Sequence, residues 1–358
     1  MKKLHSYTRA YKKISEFRRD AVSGEWILLV EERHLRPGAR DLPEPKKRKL
    51  IPKKTCLFEN PQKHGSGPPI LWHPHPSESA SQNAKDWFVQ VVANKYPAVV
   101  PHHICPKDTR YGPYLSRDGI GFHEVIITRD HERTIADMTT AEVDVLVRTY
   151  QERYVSIENE PCIKYILIFH NHGERAGASI THPHSQLIAL PIIPPDVKRS
   201  LRGSEKYFQK HNTCAHCAEL AFEKKQKKRI IYTNKKFTVL APFASRVSFE
   251  IRIFPNKHAS HFEVIGKEER MFLADALRVT MKKLQKGISD PDYNFFIHTA
   301  PAQSDGVDYY HWHLEILPRI STWAGVELGT GIEVVAFLPE ETAGILRKIK
   351  AYYGASSA

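Results

Sequence analysis

Five segments in the first half of the sequence return, in the same order, in the second. WFVQVVAN (87–94) is answered by FTVLAPF (237–243), and FHEVIIT (122–128) by FEIRIFP (249–255). The stretch MTTAEVDVLVRTYQERYVSI (138–157) is answered by GKEERMFLADALRVTMKKLQ (266–285). YILIFHNHG (165–173) returns as YNFFIHTAP (293–301), and HPHSQLIALP (182–191) as HWHLEILPR (311–319). Repetition on this scale means a duplicated supersecondary unit. Four of the segments have the β-branched, apolar texture of strands. The other, opened by a Thr cap, carries apolar residues at helical spacing. Each unit is then strand, strand, helix, strand, strand, which predicts an α+β fold of antiparallel sheets with flanking helices. We expect an N-terminal catalytic half over 1–195 and a C-terminal half over 196–358, joined near 191–200 and packed as one continuous or pseudo-symmetric sheet. Residues 36–80, rich in Pro, Lys and Ser, are expected to form loops around a short anchored segment.

Composition narrows the function. The 358 residues carry a net charge of +13, which invites a nucleic-acid reading. The basic residues, however, fall in scattered runs, KKRKLIPKK (46–54), KKQKK (224–228) and KKLQK (282–286), with no aromatics interleaved. A stacking platform for bases needs those aromatics, so no nucleic-acid partner is expected, and the charge fits attraction to phosphorylated small molecules. No apolar run approaches the ~18 residues of a membrane span, and the basic start MKKLHSYTRAYKK lacks the apolar core of a signal peptide. Five cysteines, with one Cys-x-x-Cys pair, suit a reducing compartment and metal ligation better than a disulfide framework. These features predict a cytoplasmic protein with no membrane partner.

Chemistry concentrates in THPHSQ (181–186). A neutral imidazole is a good nucleophile toward phosphorus at pH 7 when one ring nitrogen is held protonated. The rigid His-Pro-His turn can aim a backbone carbonyl at the second ring and fix its tautomer, which makes His184 the candidate nucleophile. Separately, Cys214-Ala-His-Cys217 has the spacing of half a tetrahedral zinc site.

Duplicated halves that each end in His-x-His-x-(Gln/Glu) before an apolar strand resemble the histidine-triad superfamily. Within it, the chain resembles the galactose-1-phosphate uridylyltransferase branch with its ADP-glucose phosphorylase relatives, from SEFRRDAVSGEW (15–26) through AGVELGTG (324–331). The sharpest match is NHGERAGASITHPHSQ (171–186) to the family's Asn-x-Gly-x-x-x-Gly-x-Ser-x-x-His-x-His-x-Gln. The resemblance assigns His184 as nucleophile and His182 as a zinc ligand facing away. Gln186 and Ser179 would donate to phosphoryl oxygens. Asn171, Gly173 and Gly177 would let the loop close on a diphosphate, with Arg175 neutralising charge. It further implies zinc at Cys214, Cys217, His258 and His311. A second zinc site is implied at Cys56, His123 and His182, with Glu59 where the family has a second cysteine. His216 and His261 are left unassigned, and Cys105 and Cys162 are read as structural.

In the second half His313 stands where His184 stands in the first, but Glu315 replaces the amide, so this half is expected to be degenerate. Glu327, Gly329 and Gly331 match a sugar-contacting tract, and Asn94, Lys95 and Tyr96 a segment lining the base. The implied activity is nucleotidyl transfer in carbohydrate (galactose) metabolism through a nucleotidyl-histidine. Its partners would be a nucleotide sugar and a sugar 1-phosphate, UDP-glucose with galactose 1-phosphate or alternatively ADP-glucose, in a homodimer. An inactive nucleotide- or metal-binding protein is the reading of another class.

Overall fold

The computed structural model describes residues 15–31, 50–78 and 83–351. In chain order the elements are β1 (Glu16–Arg19), β2 (Trp26–Leu29), β3 (Leu71–Pro74), β4 (Trp87–Ala93), β5 (Asp108–Tyr111), β6 (Tyr114–Arg117), β7 (Phe122–Thr128), α1 (Thr140–Glu158), β8 (Tyr165–His172) and β9 (His184–Leu190). There follow α2 (Pro195–His211), α3 (Ala215–Gln226), β10 (Ile230–Thr233), β11 (Phe237–Leu240), β12 (Ile251–Pro255), α4 (Lys267–Gly287), β13 (Tyr293–His298), β14 (His313–Pro318), α5 (Gly325–Thr330), β15 (Val334–Val335) and α6 (Pro339–Lys348). No described helix is long and apolar enough to cross a membrane.

Ten of the strands form one antiparallel sheet in the order β10-β11-β12-β14-β13-β8-β9-β7-β4-β3. Read outward from its middle, the two sides list duplicated strands in the same sequence, so the sheet has an internal two-fold. The halves meet where β8 pairs with β13, from His172 opposite Tyr293 to Ile168 opposite Ile297. β3 and β10 extend each side by a short strand outside the five repeated segments. The region expected to link the halves is partly helical, because Pro195, whose missing N–H costs nothing at a helix start, opens α2.

The helices α1 and α4 lie together on one face of this sheet. Val143, Leu146 and Tyr150 of α1 share a buried core with Leu273, Leu277 and Met281 of α4 and with Ile126, Ile168, Ile253, Phe295 and Ile316 of the sheet. Each such apolar side chain contributes ~1.5–3 kcal/mol on burial. Polar clamps cross the same seam: Arg270 Nε donates to Asp144 at 2.8 Å, and Gln151 Nε2 to the carbonyls of Glu263 and Ile265, each at 2.7 Å.

Chain order and spatial half do not coincide everywhere. The hairpin β1–β2 joins β15 in a separate sheet, with β15 parallel to β2. Arg18 reaches across to Glu340 at 3.0 Å and to the carbonyl of Phe243 at 3.1 Å. Residues 16–29 are therefore built onto the second half. Cys105 and Cys162, expected as structural, are joined in a disulfide with Cα atoms 5.7 Å apart, contrary to the expectation that the cysteines serve metal ligation rather than disulfides. The bond ties the segment before β5 to the turn between α1 and β8.

A capping box starts α1. Thr139 Oγ1 accepts the Glu142 N–H at 3.2 Å, and the Glu142 carboxylate accepts the Thr139 N–H at 2.6 Å and both arms of Arg133 at 2.9 Å. Burial alone would raise the Glu142 carboxyl, but these bonds outweigh it and hold the group at about 2. The stabilisation is therefore present above the ordinary carboxylate range and fades as pH falls toward that value. Glu142→Gln should cost about 1–3 kcal/mol at pH 7, and the difference from wild type should close below pH 3, as read by urea denaturation at both pH values.

Candidate active site and metal clusters

The loop expected to cradle phosphate leaves the end of β8. Gly173 and Gly177 sit at φ 85° and 83° and bracket a single helical turn over Glu174–Ala176. Only glycine adopts such angles without strain. Support for this loop comes from the other half of the molecule. Asn294, on β13, donates from Nδ2 to Asn171 Oδ1 and to the Ala176 carbonyl, both at 2.8 Å, and Asp292 accepts the Arg175 N–H at 2.7 Å. Asn294 and Asp292 were not singled out in the sequence. Their only signal is their place at the head of the repeated strand YNFFIH. Arg175 and Ser179 are exposed on the same loop.

His184 opens β9. Side chains alternate along a strand, and Ser185 points into the helix layer, where its hydroxyl lies 2.5 Å from Tyr150 and 3.0 Å from His170 Nδ1. His184 and Gln186 therefore face the opposite side of the sheet, beside the Asn171 end of β8. The His184 ring is 7% exposed, with its Nδ1 2.9 Å from the carbonyl of His182. A carbonyl can only accept, so Nδ1 carries the hydrogen and Nε2 keeps its lone pair. Burial pushes the ring down to about 4, which leaves it neutral at physiological pH. Phe58 stands edge-on to it at 4.9 Å.

His123 takes a different place from the one expected. Its Nδ1 accepts the Ala98 N–H at 3.0 Å, so Nε2 bears the hydrogen and donates to Gln186 Oε1 at 2.8 Å. With its oxygen engaged, the Gln186 amide presents its N–H groups to the His184 side of the sheet. Asn94 lies beside this group, its Oδ1 accepting the Tyr96 N–H at 2.9 Å, and its Nδ2, 3.2 Å from the protonated His123 Nε2, makes no hydrogen bond to it. Tyr96 itself is 79% exposed, and Lys95 bonds the His64 carbonyl.

His131, not His123, stands with Cys56 and His182. Antiparallel pairing sets His123 opposite Ile188 and Ile127 opposite His184, so the start of β9 lies at the end of β7. The residue available to His182 is the histidine just past that end. His131 Nδ1 is 3.2 Å from His182 Nδ1, and Cys56 Sγ is 3.6 Å from it. Glu59 Oε1 approaches the two rings at 2.8 and 3.8 Å, and no hydrogen bond satisfies this buried oxygen. The signal in the sequence was RDHERT, a histidine directly after a strand.

The second cluster gathers Cys214, Cys217, His258 and His311, whose ligand atoms all lie within 4.8 Å of one another. Cys217 Sγ is 3.3 Å from His258 Nδ1 and 3.4 Å from His311 Nδ1. Tetrahedral sites with ligand bonds of about 2.0–2.3 Å have edges of about 3.3–3.8 Å. At three of the four histidines the other ring nitrogen is taken by a backbone carbonyl, while His258 Nε2 is buried with no hydrogen-bond partner. His182 donates to Thr128 and His131 to Ile51, each at 2.7 Å, and His311 to Pro255 at 3.2 Å. That arrangement points Nδ1 at a common centre, as second-shell bonds do for metal ligands. The donor sets fit a tetrahedral cation.

The second half repeats the tautomer lock without the site. His313 Nδ1 is 3.2 Å from the His311 carbonyl. Around it, Glu315 is bound by His298 at 3.0 Å and by Arg252 at 3.4 Å, and Arg252 also binds Glu250 at 2.9 Å. The charges compensate one another and leave a cavity of only about 100 Å³. Glu327 is buried and caps the Ala324 N–H at 3.0 Å, and Gly329 lies on the same short helix. Among the described bonds, none links this helix to the loop at 171–179.

Against this geometry, comparison with known proteins is decisive. The profile of the galactose-1-phosphate uridyl transferase N-terminal domain matches residues 7–194, and one described as a domain of unknown function matches 119–351. ADP-glucose phosphorylase of Arabidopsis thaliana is 31% identical over 93% of both chains. The chain belongs to the galactose-1-phosphate uridylyltransferase family. This is a family of nucleotidyltransferases. Galactose-1-phosphate uridylyltransferase of Thermotoga maritima is 29% identical, over 71% of this chain and 82% of its own. The crystal structure of the Arabidopsis ADP-glucose phosphorylase with bound ADP-glucose superposes with a TM-score of 0.78 at 28% identity, covering 94% of this chain and all of that one. A structure of uridylyltransferase gives 0.69, also at 28%, covering 93% of this chain and 98% of that one.

The exchange of His123 for His131 is open to measurement. His131→Ala should lower the metal content of the purified protein by one ion per chain, whereas His123→Ala should leave it unchanged. The reverse pattern, by elemental analysis, would restore the ligand set first expected from sequence.

Proposed function

We propose that this protein transfers a nucleotidyl group from a nucleoside diphosphate sugar by double displacement through His184. The single observation that carries this reading is the His184 ring, held with Nδ1–H on the His182 carbonyl and a bare Nε2 on the loop side of the sheet. Nε2 attacks the α-phosphorus, and the bond from that phosphorus to the bridging oxygen breaks. The sugar 1-phosphate leaves with the electron pair. Gln186 and Ser179 donate to the non-bridging oxygens, while the Gly173–Gly177 backbone and Arg175 receive the diphosphate charge. Asn94 lines the base, with Lys95 and Tyr96 at the rim. A phosphate oxygen of the acceptor then attacks the phosphorus and frees His184.

For the donor, ADP-glucose is supported by the full-length likeness to the Arabidopsis ADP-glucose phosphorylase. UDP-glucose with galactose 1-phosphate is the second reading, supported by the profile match over 7–194. We assign zinc to Cys214, Cys217, His258 and His311, and to Cys56, Glu59, His131 and His182. Zinc would supply structural bracing there, fixing His182 two residues before the nucleophile. A cytoplasmic setting suits the free thiols Cys56, Cys214 and Cys217, while the Cys105–Cys162 disulfide is unusual in a reducing compartment. A homodimer suits the exposed apolar Trp323, Val326 and Leu328, which lie together around α5 with Leu328 72% exposed, and a partner covering α5 would bring Glu327 and Gly329 into use.

Incubation with nucleotide sugar alone should release one sugar 1-phosphate per active site in a burst. It should leave an acid-labile nucleotidyl group on His184, and the steady state should be ping-pong. Running ADP-glucose and UDP-glucose in parallel separates the two donors. His184→Asn should keep fold and metal but lose the burst, and Gln186→Ala should slow it by ~10²–10³-fold. A turning-over His184→Asn enzyme, or sequential kinetics with no adduct, ends the proposal.

A further inference from the structure

A groove of about 850 Å³ lies away from the His184 site, between α2 and the turn joining β1 to β2. Its floor is set by a close backbone approach: a Cβ on Gly203 would fall 1.7 Å from the Val22 carbonyl oxygen, so only glycine lets the helix seat there. Lys198, Arg202, Lys206 and Lys210 line it from α2, and Arg19 faces them from the turn. Residues four apart share one face of a helix, and these four span about 18 Å at 1.5 Å per residue.

The charge of this groove is not compensated. Asp20 is the one acid in its immediate wall, and it is committed inward, accepting the Val22 and Ser23 N–H groups at 2.9 and 2.7 Å and pairing with Arg252 at 3.4 Å. Arg199 is paired with Glu25 and Asp196. Among the described residues no carboxylate pairs with Lys198, Arg202, Lys206 or Lys210, and Arg19 spends its Nε on the Gly24 carbonyl. Four like charges along one helix face repel one another. An arrangement of this kind is stabilised when an anion fills it.

We infer that the groove between α2 and the β1–β2 turn binds a nucleoside polyphosphate. Cations spread over about 18 Å outreach a single phosphate and suit a phosphate chain together with the nucleoside it carries. Tyr207, in the same wall with its ring 4.4 Å from that of His211, offers a stacking face for one base. A nucleic-acid strand would use successive rings, and the groove has one tyrosine. The volume falls in the range of small-molecule sites, ~300–1,000 Å³. None of the lining residues belongs to the loop at 171–179 or to β7–β9, so this site is separate from the nucleotidyl-transfer reading and does not rest on it.

Calorimetric titration of the full chain with ATP and with inorganic tripolyphosphate, at about 150 mM salt where exposed long-range attraction is largely screened, tests the inference. Both should bind. Arg202→Glu combined with Lys206→Glu should weaken both at least tenfold while leaving the nucleotide-sugar burst unchanged. Tyr207→Ala should weaken ATP and not tripolyphosphate. Absence of tripolyphosphate binding, or an affinity unmoved by the double charge reversal, overturns the site. ATP binding unmoved by Tyr207→Ala overturns its nucleoside part. A single-stranded oligonucleotide that outcompetes ATP, with an affinity that falls on the same charge reversal, replaces the inference with a nucleic-acid surface.

Discussion

The pairing of β8 with β13 is the interaction on which the remaining architecture rests. It turns two repeated units into one sheet, and it places Asn294 opposite Asn171. A loop with two left-handed glycines is intrinsically free to move. The second half supplies the restraint, through Asn294 and Asp292. Duplication therefore does more than double the core: one copy has become the brace of the other.

That division explains why the two His-x-His segments differ so little in backbone and so much in surroundings. Both second histidines are buried, and both are locked by the carbonyl two residues earlier. What separates them is the residue two further on. Gln186 is neutral, and His123 occupies its oxygen and leaves donors free. Glu315 is an acceptor that draws in His298 and Arg252. A buried carboxylate must be paired, so once it stands there the neighbouring space fills with compensating charge. The contrast between the two surroundings follows from one amide-to-acid difference and the electrostatics it imposes.

Much of this was legible in the sequence because burial writes itself as periodicity. β4, β7, β8, β9 and their repeats are predominantly apolar, and the amphipathic stripes of α1 and α4 face them. The four-residue edges β3 and β10 were too short to register as repeats. The ligand set around Cys56 was misread at one position for a geometric reason. Eight residues separate His123 from His131, roughly 26 Å along an extended strand at 3.3 Å per residue. Which of them meets His182 depends on the antiparallel register of β7 against β9, and a linear sequence does not state register. The groove on α2 was hidden similarly. Its cations are four apart, diluted by other residues in PDVKRSLRGSEKYFQKH, and become a line only on a helix.

Three constraints converge on His184 without touching its reactive nitrogen. The carbonyl of His182 fixes the tautomer. The ring of His182 is itself fixed, with Nε2 on Thr128 and Nδ1 toward Cys56 and His131. Thr128 closes the circuit, since its hydroxyl donates to the Pro183 carbonyl at 3.1 Å. The residue between the two histidines is thus held from β7 as well, and the whole turn is over-determined. Such redundancy holds a histidine at a strand end in one orientation. Strand ends fray, and an imidazole that rotates by even one rotamer would turn a different nitrogen to the loop side of the sheet. The contacts of the His182 ring, the proline and the β7 hydroxyl each remove one way of doing so.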